Sequence, residues 1–198
     1  MPGPWVVVLA GGGSRRFGRD KLEADLDGRR LLDVTLASVP HGLPVVVVGP
    51  ARPVDRDVTF VREDPPGGGP AAALVAGLTV ALDAGAEAIS TLPGDAPAAG
   101  SAVPLLLDAL GRPGLDAPDL VVAHGNDGQV FPLQLACTAA GARRVLAGAG
   151  PGRGAGASVR RLLESLDPAP GRVVLPPLAL QDVDTPEDLG KIKEVPTA

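Results

Sequence analysis

The segment 9–21 reads Leu-Ala-Gly-Gly-Gly-Ser-Arg-Arg-Phe-Gly-Arg-Asp-Lys. Its three successive glycines let backbone N–H groups come close to an anion, because glycine has no Cβ and tolerates positive φ. Arg15, Arg16, Arg19 and Lys21 add four cations within seven residues. These residue types at this spacing describe a cradle for a polyphosphate. Two better-known glycine patterns do not fit. The pattern G-x-G-x-x-G opens at Gly11 and Gly13 but meets Arg16 where the third glycine belongs. P-loop spacing matches Gly13 and Gly18, yet Arg19 and Asp20 stand where Lys and Ser or Thr are required. The bland alternative is a tight turn carrying solvated arginines.

Acidic residues supply the complementary chemistry. Asp95 sits between Pro93 and Pro97, which fix a bend just after a predicted strand. Ligands of open α/β sheets bind at that carboxyl edge. Mg²⁺ takes one or two carboxylates plus phosphate oxygens, so Asp95 reads as a magnesium ligand; the plain alternative is an Asp that stabilises its own turn. Asp184 is the candidate second ligand and Asp182 its competitor. Helix N-terminal chemistry accounts for the same stretch, with Thr185 as cap and Glu187 and Asp188 in the first turn. His41 reads as a surface residue. His124 falls on a hairpin turn of a kind that can contact a second substrate, and Cys137 reads as core. Arg143, Arg144, Arg153, Arg160 and Arg161 form a basic section, suited either to a phosphorylated acceptor or to solvated helix faces.

The elements that must position these groups alternate. Continuous apolar runs predict strands at 5–10, 44–48 and 58–61, and 87–92, 119–123 and 130–136 follow, with short strand candidates at 172–175 and 178–183. Helical spacing or composition predicts helices over 31–39, 71–84, 101–110, 138–147 and 157–166, with Gly77 the weak point of the second. A final helix starts at Pro186 behind Thr185. The glycine-rich stretch 148–156 reads as a flexible loop. The order implies an α/β fold: a three-layer, mostly parallel sheet with helices on both faces, forming one domain over 1–198.

Composition narrows the function. The chain of 198 residues has a net charge of −5, which argues against a nucleic-acid binder that relies on a basic face. Aromatics are only 2% of the chain, so the core must be aliphatic, as buried parallel sheets are. One cysteine forms no internal disulfide, and the apolar run 5–10 is too short for a membrane span. A soluble, cytoplasmic protein, monomeric or weakly self-associating, is the expectation.

The run L-A-G-G-x-S-x-R-F-G-x-D-K resembles the signature of the nucleotidyltransferases related to molybdenum cofactor guanylyltransferase. Three later segments match in order. Residues 67–77 resemble the family's G-P-L-x-G segment with Ala71 for Leu, and 92–97 resemble P-C-D-x-P with Gly94 for Cys. Residues 182–189 resemble N-x-N-T-P-E-D-L with Asp182 and Asp184 for the asparagines. The resemblance implies Arg16, Lys21 and Asp95 as catalytic residues. It implies a nucleotide site of Leu9, Ala10, Gly11, Gly12, Gly13, Ser14, Lys21, Asp64, Gly69 and Pro70, with Asp95 and Asp184 on Mg²⁺. The reaction implied moves a nucleoside monophosphate from a triphosphate, GTP first, to a phosphorylated acceptor, molybdopterin first, with release of pyrophosphate. A cytidylyltransferase, or another nucleotidyltransferase of this kind with a different phosphorylated acceptor, is the alternative within the class, since related enzymes often carry Asp where the asparagines stand. A nucleotide-binding regulatory module is the alternative outside it. A dinucleotide-dependent oxidoreductase predicts an acidic residue at the end of the second strand, where Gly49 and Pro50 stand instead.

Overall fold

The computed structural model describes residues 3–12, 17–18, 20–111 and 117–192, so Gly13, Ser14, Arg15, Arg16 and Arg19 lie outside the described residues. Strand β1 (Pro4–Leu9) is followed by a 3₁₀ turn (Lys21–Glu23), a small hairpin of β2 (Asp25–Leu26) and β3 (Arg29–Arg30), and helix α1 (Leu31–Ser38). Next come β4 (Val45–Val48), β5 (Thr59–Val61), α2 (Pro70–Asp83), β6 (Ala88–Pro93) and α3 (Val103–Asp108). The second half contains β7 (Leu120–His124), β8 (Val130–Thr138), α4 (Ala139–Ala149), α5 (Val159–Glu164), β9 (Gly171–Val174), α6 (Pro177–Leu180) and α7 (Pro186–Leu189).

Seven strands form one sheet in the order β5-β4-β1-β6-β8-β7-β9. Only β8 runs against its neighbours, pairing antiparallel with β6 and β7. The valine runs explain the central strands, since successive side chains point to opposite faces and both faces are covered. Val7, Leu9, Val46 and Val48 pack with α2, α4 and α5. Val6, Val8, Val45 and Val47 pack on the other face with α1 and α3, and α3 and α6 cover the β7–β8 end. The expected three-layer, mostly parallel α/β arrangement is therefore present.

Helix α2 lies so close to the sheet that a Cβ on Gly77 would overlap Val7 and come within 2.9 Å of Val48 Cγ2. The residue that weakens the helix by propensity is the one that lets it touch β1 and β4. Behind α1, the Arg56 guanidinium donates to the carbonyls of Leu36, Val39, Pro40 and Leu43 at 2.7–3.1 Å, satisfying the open end of that helix.

Three segments differ from the sequence expectation. The candidate strand 178–183 is not one: Pro177 opens the short helix α6, because proline suits a first helical turn. Residues 181–184 then run extended without joining the sheet, held by the Val183 N–H donating to Asp95 O at 2.9 Å. The stretch 148–156 extends α4 by two residues and then turns back onto α2. Gly156 N–H donates to Gly68 O at 2.8 Å, and Gly154 lies against Ala71 where a Cβ would come within 2.9 Å of its backbone. The β2–β3 hairpin was not anticipated, although Asp27 and Gly28 are a hairpin dipeptide and both take positive φ. His41 is exposed and Cys137 is buried, as expected.

Gly77→Ala should lower the free energy of unfolding by about 1–3 kcal/mol through overpacking, despite the better helix propensity of alanine. Urea denaturation checks this; a stabilised variant would show that α2 has room to spare.

Candidate active site

From β1 the chain places β4 and β5 on one side, then returns to place β6 on the other. The carboxyl ends of these parallel strands share one edge, and the reversal at β1 opens a crevice there. A cleft of about 500 Å³ occupies that edge. Leu9 enters it at the end of β1 with Ala10, Gly11 and Gly12 just beyond, Pro50 and Arg52 follow β4, Arg62 and Glu63 follow β5, and Pro93 ends β6 with Asp95 after it. Gly69 and Pro70, at the N-terminus of α2, close the wall.

Glycines set the depth of the cleft floor. A Cβ on Gly49 would lie 2.6 Å from Ala10 O. No side chain fits at the end of β4, where an oxidoreductase would need its carboxylate. A Cβ on Gly94 would lie 3.2 Å from Leu9 O and 3.3 Å from Ala10 Cα, so the residue standing where the resembling family has Cys is in tight contact with the loop after β1.

The charged centre joins three stretches distant in sequence. Lys21, on the 3₁₀ turn capped by Asp20, pairs with Asp95 Oδ2. Its ammonium also donates to Val183 O at 2.9 Å and lies 3.4 Å from Asp184 Oδ1. Burial is the largest single influence on Lys21 and pulls its pKa down; the hydrogen bond to Asp95 and the charges of Asp95 and Asp184 outweigh it, so the net shift is upward. Lys21 is therefore a fixed cation at neutral pH. Asp182 shifts upward too, first through burial and then through the negative charges of Asp95 and Asp184. Of the two competitors, Asp184 shares the ammonium with Asp95. Thr185 and Asp188 form a capping box, so the helix chemistry expected of this stretch is present as well.

Among the described residues no three His, Cys, Asp or Glu side chains gather in a way that could hold a metal. Asp95 and Asp184 are nevertheless hard oxygen donors converging on one cation, and such a pair fits Mg²⁺ completed by phosphate oxygens and water.

The remaining expectations divide. Leu9, Ala10, Gly11, Gly12, Gly69, Pro70 and Asp95 line the cleft. Gly13, Ser14 and Arg16 lie outside the described residues. Asp64 is exposed, and its neighbour Glu63 takes the place on the wall. Arg52, also unanticipated, binds Asp20 Oδ2 and Glu23 Oε1 at 2.8 Å each, tying the loop after β4 to the turn that carries Lys21. Their signal was position: each follows a parallel strand at its carboxyl end. His124 is buried at the end of β7 and is not part of this cleft. Arg144 is held by Asp119, with Nε at 3.2 Å from Oδ2, and by Pro168 O. Arg160 donates to Val130 O at 3.3 Å.

A doubly wound sheet with a glycine-floored cleft, and a lysine and carboxylates converging at its carboxyl edge, suits an enzyme that handles a phosphorylated nucleotide. Residues 6–169 match the family model described as the MobA-like NTP transferase domain, and the chain belongs to that family. A molybdenum cofactor guanylyltransferase from Acidiphilium cryptum (strain JF-5) is 34% identical over 76% of this chain and 76% of that protein. Among solved structures, molybdopterin-guanine dinucleotide biosynthesis protein A from Archaeoglobus fulgidus superposes with a TM-score of 0.66 at 22% identity, covering 97% and 96% of the two chains. A 2-C-methyl-D-erythritol 4-phosphate cytidylyltransferase from Thermus thermophilus gives 0.62 at 22% identity, covering 95% and 96%. The same fold thus carries proteins named for guanine and for cytidine nucleotides.

Removing the Lys21 cation takes away a positive charge that Asp95 and Asp184 share. Lys21→Met should cost about 1 kcal/mol of stability in metal-free buffer, a small value because Asp184 is half-exposed and solvent screens the pair. Chemical denaturation with chelator present measures it, and an unchanged midpoint would show that the carboxylates do not depend on the ammonium.

Proposed function

We propose that the protein is a Mg²⁺-dependent guanylyltransferase that moves GMP from GTP to the phosphate of molybdopterin or its molybdenum-loaded form. The observation that carries the proposal is the convergence of Lys21 and Asp184 on Asp95, which lines the glycine-floored cleft. An acceptor phosphate oxygen attacks the α-phosphorus of the triphosphate, the bond to the bridging oxygen breaks, and pyrophosphate leaves with that oxygen and its charge. The acceptor is already anionic, so no general base is required. Catalysis reduces to holding two polyanions in line and stabilising charge on the leaving group.

The chain's own groups divide that work. Glycine amides at 11–13, with Arg16, would hold the phosphates. Lys21 would neutralise the charge that builds on the leaving pyrophosphate. Asp95 and Asp184 would hold Mg²⁺, which when bound would screen the repulsion between donor and acceptor phosphates. The relative named for the guanylyl reaction supports the choice of GTP and of a pterin phosphate as acceptor. Asp182 and Asp184 in place of asparagines favour CTP as the second reading. A cytoplasmic setting suits a chain whose one cysteine is buried and unpaired, and no described helix is long and apolar enough to cross a membrane.

A thermal-shift panel of GTP, CTP, ATP and UTP with Mg²⁺ tests the reading, because a ligand of the folded state raises its apparent stability. A GTP-selective rise is the expected result; a CTP-selective rise selects the second reading, and no rise with any nucleotide removes both. Lys21→Ala should lower turnover about 10²-fold or more. Asp95→Asn should end metal-dependent pyrophosphate release while the protein stays folded by circular dichroism.

A further inference from the structure

The Lys21 ammonium lies among three oxygens contributed by two distant stretches of chain. It pairs with Asp95 Oδ2, donates to Val183 O at 2.9 Å and stands 3.4 Å from Asp184 Oδ1. An ammonium has three donors and no acceptor. Its partners here, two carboxylates and a backbone carbonyl, are also the class of hard oxygen that a divalent cation takes. The side chains of Lys21 and Asp95 are 18% and 20% exposed, whereas that of Asp184 is 49% exposed. The contact between Lys21 and Asp95 is thus largely withdrawn from water, and Asp184 leaves an approach to it from solvent.

Two cations do not share such a position. Mg²⁺ holds its oxygens at about 2.0–2.1 Å, inside the distance at which the ammonium hydrogen-bonds the same atoms, and like charges that close repel strongly where water is scarce. The backbone that carries Lys21 is not the part that gives way. Asp20 caps its turn, and Arg52 binds Asp20 and Glu23 on either side of it. The side chain is free of those ties: it is a point charge on a flexible four-carbon stem, able to change partners while the turn stays in place.

We propose that the Lys21 ammonium and a divalent metal ion are mutually exclusive occupants of Asp95 and Asp184: the lysine is the counter-cation of the free site, and it swings off the carboxylates before they take a metal. The inference rests on the reading of Asp95 and Asp184 as Mg²⁺ ligands and adds the order of events. A metal ion arriving alone has to displace the lysine. A triphosphate entering the cleft offers the ammonium another anionic partner, so the metal enters most readily with the nucleotide. The same swing carries Lys21 from its resting partners to the phosphates whose charge it neutralises.

The test is Mn²⁺ binding without nucleotide, followed by the electron paramagnetic resonance of the free ion, for the wild type, Lys21→Met and the double variant Lys21→Met/Asp95→Asn. Removing the ammonium should tighten Mn²⁺ binding about tenfold or more, and Asp95→Asn should reverse that gain. A second measurement separates displacement of the lysine from a loss of nearby positive charge. Lys21, Lys191 and Lys193 are the lysines of the chain, so in protein labelled with ¹⁵N at lysine Nζ the Lys21 ammonium signal is assigned by its loss in Lys21→Met. Its protons, held by three oxygens, should exchange with water slowly in the free wild type and about tenfold faster or more once Mg²⁺ saturates the site. A Lys21→Met protein that binds Mn²⁺ no more tightly than the wild type overturns the proposal. So does a Lys21 ammonium that keeps its slow exchange at saturating Mg²⁺, for then lysine and metal coexist. A gain in Lys21→Met that survives Asp95→Asn puts the metal on other groups and overturns the proposal together with the reading of Asp95 as a ligand, a failure distinct from the previous two.

Discussion

The site depends on one backbone hydrogen bond and the ion pair beside it. The Val183 N–H donates to Asp95 O, and the Lys21 ammonium donates to Val183 O while pairing with Asp95. Together they pin the extended 181–184 stretch against the loop after β6 and draw in the turn that follows the glycine loop. The ammonium between Asp184 and Asp95 offsets the repulsion of the two carboxylates. Burial pulls the Lys21 pKa down and pushes the Asp182 pKa up, and the negative charge of Asp95 and Asp184 favours a bound proton on each, so both shift upward.

The rest of the fold serves that junction. Valine strands buried on both faces give a rigid sheet whose parallel ends stop at one edge, and the reversal at β1 leaves the crevice. Glycines at 49, 77 and 94 let β4, α2 and the loop after β6 approach their neighbours at distances a side chain would forbid. The cleft is therefore defined as much by missing side chains as by those present. Arg52 adds a second tether, joining the loop after β4 to Asp20 and Glu23 on either side of Lys21.

Much of this was legible in the sequence, for identifiable reasons. Strands β1, β4 and β6 announced themselves as apolar runs ended by Gly or Pro, and Asp95 could be placed at the sheet edge because Pro93 and Pro97 bracket it. Lys21 and Asp184 were legible through motif resemblance, since nothing in their local sequence says that residues 163 apart will touch. Less readable was 178–184, where alternating apolar residues suggested a strand and Pro177 made a helical turn instead. The place of Glu63 on the cleft wall was less legible, because its burial and the Gly67 N–H it accepts four residues on are not visible in a stretch that reads as a polar loop. Gly77 looked like a flaw in a helix because propensity is local and the contact that demands glycine comes from β1.

The central claim is that Lys21, Asp95 and Asp184 form the phosphate and metal end of a nucleotide site. A crystal structure with a non-hydrolysable GTP analogue and Mg²⁺ tests it most directly. The expected density places a metal on the carboxylates of Asp95 and Asp184, with the triphosphate beside Lys21. A triphosphate bound elsewhere, or Asp95 still paired only with Lys21 while the metal lies on other groups, would contradict it.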